Sequence, residues 1–478
     1  MIGKKGRVQP TLFIPGSMED FIPKDHILKR VDRILDLSWL RGEVADSYCE
    51  DNGRPGIDPE AAVRLMLAGF FAGIVHDRKL LREAQVNIAI RWFAGYGLED
   101  QLPDHSTLTR IRQRWGAERF KAIFLRTVRM CGEAGLVSGD TVHFDATLIR
   151  ADVSWKSLTA SHADAVLEHN STQEPPPEAP KRPGRPRKRE KQPKKRSATD
   201  PDATLTTSSK EYRMEPSYKQ HTAVDDKAGV IVCVEVTTGE ASEGGKFIEI
   251  IEAVESATGV HVACATADGG YAHSGNYRAL EERGTDPIIP PPKTGNSHNA
   301  MPASRFKYDA KHETVRCPGG KRLSRRSRVK NGWIYRGSPH ECGACPMRKA
   351  CVPDSARART IYITDGHTAL LRARRRHVLW DAEAALYKRH RWRVEGAHGE
   401  AKTQHGLRRA VRRGMDNVAI QVYLTAAVMN LKRLAALWVP LKRCLCLVIR
   451  VFGAIISAVS SASSEFSAER NLLCVYSI

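Results

Sequence analysis

The stretch Arg391-Trp-Arg-Val-Glu395-Gly-Ala-His398-Gly-Glu400-Ala-Lys402 decides how the rest of the chain is read. On a helix of about 3.6 residues per turn, positions i, i+4 and i+11 lie within about 40° of one another. Arg391, Glu395 and Lys402 therefore share one face, with His398 beside them. A carboxylate ringed by cations can be an ordinary solvated helix face held by i,i+4 pairs. It is also a way to hold a metal ion beside a phosphodiester. Two isolated aspartates upstream, Asp145 and Asp268, each end an apolar strand pattern and favour the second reading. Glu400 lies about 180° from Arg391 on the wheel, which leaves Glu395 as the candidate acid.

Outward from that helix, the periodicity separates the chain into regions. Residues from about 25 to 135 read as helical. Asp58 caps a helix that opens with Pro59, and Val63, Leu67 and Phe70 follow at core spacing. A second helix starts at Pro103-Asp104-His105-Ser106-Thr107. Its apolar stripe is Leu108, Ile111 and Trp115, with Arg110, Arg112 and Arg114 expected to face elsewhere. Helix, turn and arginine-bearing helix make a plausible DNA-reading unit; a plain helical domain with solvated arginines is the competing reading.

At Thr141 the period changes to two. Val142, Phe144 and Ala146 alternate with His143, Asp145 and Thr147, as on a strand. His143 shares a strand face with Asp145 and either packs as a satisfied histidine, the favoured reading, or lines the cleft; Asp152, the rival acid, lies beyond the strand. Tyr218–Val224 and Val230–Thr237 read as a hairpin around Asp225-Asp-Lys-Ala-Gly229, Phe247–Val254 as a helix, and Val260–Thr266 as a strand ending at Asp268. Pro287–Pro290 reads as a last short strand, and Val418–Leu437 as an apolar helix. This order around three dispersed acids is what an RNase H-like mixed sheet requires.

The net charge of +21 favours polyanions, nucleic acid before anionic membrane. Much of it lies in 181–196, where ten Lys/Arg face one acid, Glu190. The region 155–215 that holds it is polar, charged and proline-rich, a composition that predicts disorder. Its core Gly184-Arg185-Pro186-Arg187 looks like an AT-hook, whose Arg185 and Arg187 suit a narrow minor groove; a generic basic linker is the other reading. The N-terminus shows no apolar signal region, and the eleven cysteines, several alone in apolar runs, fit a reducing compartment, so a cytoplasmic protein is expected. Four of them, Cys317, Cys342, Cys345 and Cys351, fall in a Lys- and Arg-rich insertion at 295–365. They suit a tetrahedral structural zinc, or stand as reduced metal-free thiols. Leu441–Ser460 is apolar but broken by Lys442, Arg443 and Arg450, so no membrane span is expected there.

Asp145, Asp268 and Glu395 are the parts of a two-metal site. Mg²⁺ wants hard oxygen ligands and keeps several waters, so three carboxylates suffice; Mn²⁺ is the alternative ion. Here the chain resembles bacterial insertion-sequence transposases of the DDE superfamily, in the branch with a Cys-bearing insertion. Phe144-Asp145-Ala146-Thr147 resembles the first acidic motif and Thr266-Ala-Asp268-Gly-Gly-Tyr271 the second. Asp200-Pro-Asp202, Tyr218-Lys219-Gln-His221 and Val224-Asp225 resemble the lead-in to the sheet. Pro103–Thr107 resembles part of the family's helical N-terminal domain. Arg391-x3-Glu395-x6-Lys402 matches the family's Tyr-x2-Arg-x3-Glu-x6-Lys signature in three of four places. The tyrosine position holds Lys388, and Tyr387 stands one residue early.

The resemblance implies an all-helical N-terminal DNA-binding domain over 1–135 and a catalytic domain over 136–294 and 366–437. It leaves an atypical tail at 438–478. It implies that Asp145, Asp268 and Glu395 hold two Mg²⁺ and that Arg391 and Lys402 contact DNA phosphates. Tyr387, Lys388 and His398 would border the cleft. The implied activity is cleavage at the element's ends and strand transfer to a target, by a homodimer on double-stranded DNA at the nucleoid. The alternatives are a non-mobile nuclease on the same fold and a catalytically inactive DNA-binding relative.

Overall fold

A computed structural model describes residues 16–48, 56–153, 158–160, 195–197, 199–206, 215–292 and 301–437. Arg185, Arg187 and the tail beyond 437 lie outside them. The described residues fall into two compact units. One draws on Met1–Gly69, Asp77–Thr109 and Val428–Ile478, the other on Phe70–His76 and Arg110–Ala427.

The first unit is helical. Asp58 Oδ1 accepts from the Glu60 amide at 2.9 Å and caps the helix Pro59–Phe71, as the sequence predicts. The buried Arg91, on the helix Ile88–Phe93, donates to the carbonyls of Gly97, Leu98 and Asp100 and so shapes the loop that follows. Asp104 Oδ1 accepts from the Ser106 amide at 2.8 Å and caps the long helix His105–Glu133. From Arg110 onward that helix belongs to the second unit, where it kinks at Gly116 with a φ of 70°.

One expectation on this helix needs correction. Arg110 and Arg114 are exposed, but Arg112 is only 3% exposed. Positions 108, 111, 112 and 115 follow the i, i+3, i+4, i+7 rule, so residue 112 stands on the apolar stripe with Leu108, Ile111 and Trp115.

The second unit is built on a mixed sheet. Its strands are β1 (Thr141–Arg150), β2 (Leu158–Ala160), β3 (Lys195–Ser197), β4 (Thr204–Thr206), β5 (Glu215–Asp225), β6 (Ile231–Thr238), β7 (Cys264–Ala267) and β8 (Asp286–Ile288). The long hairpin β5–β6 pairs antiparallel with β1, and β7 and β8 then add in parallel on the other side of β1. The short strands β2 to β4 continue the edge beyond β5. They lie within 155–215, where composition alone predicts no order. The buried Asp200 explains the anchorage: it accepts from the Tyr218 hydroxyl and from the Gly414 amide at 3.3 Å. Asp202 accepts from the Met415 amide at 3.0 Å, so the pair also caps the apolar helix at 415–437.

One face of the sheet is apolar. Phe144 packs edge-on against Phe247 of the helix Phe247–Thr258, with ring centroids 5.1 Å apart, and Phe247 packs on Tyr271. The other face of β1 is polar and is crossed by the helical run Ala382–His390, Arg391–Glu395 and Gly396–Gln404. The middle segment is a π-turn, which carries one residue more than an α-turn.

The insertion folds as a second, antiparallel sheet: β9 (Lys307–Asp309), β10 (Thr314–Arg316), β11 (Arg322–Val329), β12 (Gly332–Arg336) and β13 (Thr360–Thr364), paired in that order. Phe306, Val315, Leu323, Tyr335, Ile361 and Ile363 form its own small core. Among the described residues, no helix is long and apolar enough to cross a membrane.

Candidate active site

The last register pair between the parallel strands β1 and β7 is Phe144 with Ala267. Asp145 and Asp268 are the next residue on each strand, so the topology sets them side by side, roughly one strand spacing of about 4.8 Å apart in backbone terms. Both line an open cleft of about 770 Å³, together with Lys219, Glu243, Lys402 and Arg408.

The polar face of β1 meets the helical run at three successive positions. His143 reaches His390 through Thr266: His143 Nδ1 lies 2.6 Å from Thr266 Oγ1, which lies 2.9 Å from His390 Nδ1. Asp145 Oδ2 lies 3.5 Å from His398 Nδ1, and His398 Nε2 lies 2.9 Å from Thr222 Oγ1. Thr147 Oγ1 accepts from Lys402 Nζ at 2.6 Å. Residues two apart on a strand share a face, which is why 143, 145 and 147 align under one helix.

His143 is fully buried, with its Nε2 2.9 Å from Asp226 Oδ1. Burial lowers the pKa of His143, and lowers that of His390 to about 4, so both rings are neutral near pH 7. The neutral rings admit one consistent direction: His390 donates to Thr266, Thr266 to His143, and His143 to Asp226. Asp226 also takes a fork from Arg389, at 3.1 and 2.8 Å. This chain pins the helix bearing Glu395 to the sheet; it lies behind the cleft rather than in it.

The two aspartates differ in their electrostatics. Burial works against ionised Asp145, but the hydrogen bond and charge of His398 and the Ala146 amide outweigh it, holding its pKa below the usual range. Asp268 is pushed the other way. Burial raises its pKa, and Asp145 and Glu243 add like-charge repulsion, against the help of the Gly270 amide, which donates at 2.8 Å. Lys402 is lowered, first by burial and then by Arg408 and Arg150.

Glu395 does not line the cleft. Its carboxylate is exposed and sits 3.2 Å from Arg391 Nε, itself 80% exposed. Arg391, Glu395 and Lys402 therefore do not form the single stripe that the helical wheel predicts, because the π-turn at 391–395 breaks the 3.6-residue phase before Lys402. Glu395 is nevertheless close by. Burial raises the pKa of Tyr387, and Asp268, Asp145 and Glu395 each raise it further. One phenol thus senses all three acids. Tyr387 stacks on His390 with centroids 5.6 Å apart, while Lys388 points outward. Glu400 lies 3.6 Å from His405, and Asp152 lies 3.2 Å from Arg409; neither lines the cleft.

Glu243 is a site residue that sequence reasoning missed. It lies 3.2 Å from Lys219 Nζ, and the signal was Lys219 itself, a lysine inside the largely buried strand β5 that needs an acid nearby. In the insertion, Cys317, Cys342, Cys345 and Cys351 line one small apolar cavity. Burial raises the Cys351 pKa, and the other three thiols add to it. Among the described residues, no three His, Cys, Asp or Glu side chains are gathered in a geometry that holds a metal as they stand.

Residues 316–435, which include Arg391, Glu395 and Lys402, match the family described as transposase DDE domain, and residues 16–114 match the transposase domain (DUF772) family. Both matched regions are transposase domains. Three solved structures are similar to the chain. A cryo-EM structure of the piggyBac transposase synaptic complex with hairpin DNA is 9% identical, covers 86% of this chain and 73% of that one, and has a TM-score of 0.32. The Mos1 transposase paired-end complex with the left transposon end is 11% identical over 52% of this chain and 65% of that one, with a TM-score of 0.17. A Mos1 mariner paired-end complex with Mn is 12% identical over 52% and 64%, with a TM-score of 0.16. These likenesses are too loose to equate individual residues. No curated protein matches the chain.

Proposed function

We propose that the cleft between β1 and β7 is the phosphoryl-transfer centre of this DNA transposase, with Asp145, Asp268 and Glu395 as its acids. The observation that carries this reading is the side-by-side placement of Asp145 and Asp268 on adjacent parallel strands, lining one cleft with Lys402. The strand order, a hairpin antiparallel to a central strand flanked by two parallel strands, supports an RNase H-like core. The donor set fits Mg²⁺ or Mn²⁺: hard carboxylate oxygens, with Asp268 destabilised as an anion by its neighbours and therefore relieved by a cation. When bound, two such ions activate a water or a 3′-hydroxyl and stabilise the leaving oxygen of the phosphodiester.

The protein's own residues supply the rest. Asp145 stays ionised because of His398. Lys402, half-withdrawn on Thr147, is positioned to hand its charge to a phosphate entering the cleft. A rotation of Glu395 away from Arg391 delivers the third carboxylate and frees the Arg391 fork for a phosphate. Arg110 and Arg114 offer an exposed cationic helix edge to duplex DNA. Binding of the element's ends, strand transfer and a homodimer on paired ends complete the reading. The four thiols of the insertion are the donor set for a structural zinc, since they converge on one cavity and would leave no open position.

The test is Mg²⁺-dependent cleavage of a labelled duplex carrying the element's end. Asp145→Asn, Asp268→Asn and Glu395→Gln should each lower the rate by at least about 100-fold while duplex binding persists. Wild-type rates in any one of them would remove that residue from the centre.

A further inference from the structure

We propose that the outer face of the insertion's five-stranded sheet is a second DNA-contacting surface, which grips the phosphates of duplex DNA. Residues 301–366 hold fifteen Lys/Arg against five Asp/Glu, so this segment and 181–196 together carry almost all of the chain's net positive charge. The register shows where part of that charge stands. Lys307 on β9 is paired with Arg316 on β10, which is paired in turn with Arg322 on β11. Directly opposed residues share a sheet face, so three cations form a row across three strands. Arg336 on β12 joins them, since it pairs with Ser324, two residues along β11 from Arg322. All four are exposed, and so is Tyr362 on the same face.

Like charges opposed across strands destabilise a sheet. Lysine on an edge strand can serve to block unwanted pairing, but Arg316 and Arg322 stand on interior strands, where that purpose does not apply. The opposite face shows what the same sheet does with arginines that have a structural task. There Arg325 pairs with Glu313 and lies 3.4 Å over the Trp333 ring, and Arg328 makes a two-toothed contact with Asp365, 2.8 Å at each tooth. No such acid serves Lys307, Arg316, Arg322 or Arg336 among the described residues. Asp309, at the corner of the outer face, is already engaged by the Lys311 and His312 amides and by His312 Nδ1 at 2.8 Å. A flat row of uncompensated cations with an exposed phenol beside it fits a phosphate backbone. The choice of DNA as the polyanion rests on the transposase reading; the surface itself does not.

The experiment uses the full chain in an Asp145→Asn background, so that binding is read without cleavage. Fluorescence anisotropy follows a linear duplex across a salt series of about 50 to about 200 mM. Combined Lys307→Ala, Arg316→Ala, Arg322→Ala and Arg336→Ala substitutions should flatten the slope of log K against log salt by about 3 to 4, since each phosphate contact contributes about 0.9. The single Arg322→Ala variant should flatten it by about 1. Neither should lower the melting temperature, because a like-charge row is being relieved. The paired Arg325→Ala, Arg328→Ala variant should leave the slope unchanged. An unaltered slope in a folded quadruple variant, or in Arg322→Ala if the quadruple does not fold, overturns the proposal. A flattened slope in this background, together with a wild-type chain that never cleaves element ends, would overturn the transposase reading and leave this surface standing.

Discussion

At the scale of single residues, Asp268 is the telling one. Its folded-state pKa is raised, by burial and by Asp145 and Glu243, so ionising it opposes folding. The penalty is absent below the ordinary aspartate pKa and fully present once pH exceeds the raised value. At neutral pH without divalent metal, Asp268→Asn should therefore melt higher than the wild type, by a few degrees. Adding Mg²⁺ should raise the wild-type melting temperature and leave that of Asp268→Asn nearly unmoved; equal shifts in both would separate Asp268 from the metal. Arg112 makes the opposite kind of prediction. Being buried, it should act on stability: Arg112→Ala should cost about 1–3 kcal/mol in urea unfolding without changing the salt dependence of DNA binding. A weaker salt slope at unchanged stability would return Arg112 to the interface.

At the scale of elements, much was legible in the sequence. The alternation at 141–147 located β1, the turn residues at 225–229 located the hairpin, and both aspartates fall at the end of the strand pairing that these elements create. Three things were not legible. The π-turn has no signature in a periodicity counted at 3.6, so the Arg391–Glu395–Lys402 stripe was drawn too regular. The strands β2 to β4 are each three residues long and are held by Asp200 and by pairing to β5, a tertiary cause that composition cannot carry. Arg112 was placed by its charge when its spacing from Leu108 and Trp115 put it on the apolar side. The insertion supplies this scale's prediction. If the four thiols of the insertion form the zinc site proposed above, protein purified under reducing conditions should carry about one zinc per chain. Cys342→Ser should release it and lower the melting temperature; a zinc-free, equally stable wild type would leave the thiols as packing residues.

At the scale of the molecule, charge and topology act together. The net charge of +21 resides mainly in 181–196 and in the insertion, both outside the strands that carry Asp145 and Asp268. Deleting 181–196 should weaken duplex binding and reduce its salt slope by several units, given its ten cations. An unchanged slope would exclude the arm from the interface.

The helical run over the polar face of β1 also has a consequence in time. The strands bearing Asp145 and Asp268 leave the ribosome first, and the insertion's sheet is made next. Only then do His398 and Lys402 arrive to cover Asp145 and Thr147. At about 5–20 residues per second, the interval from Asp268 to Gln404 is roughly 7–27 s. Throughout it the nascent chain has both aspartates but neither their helical cover nor Glu395. On the assignment proposed above, an unfinished chain lacks one of its three acids, and the cleft is completed only as the helical run closes over β1.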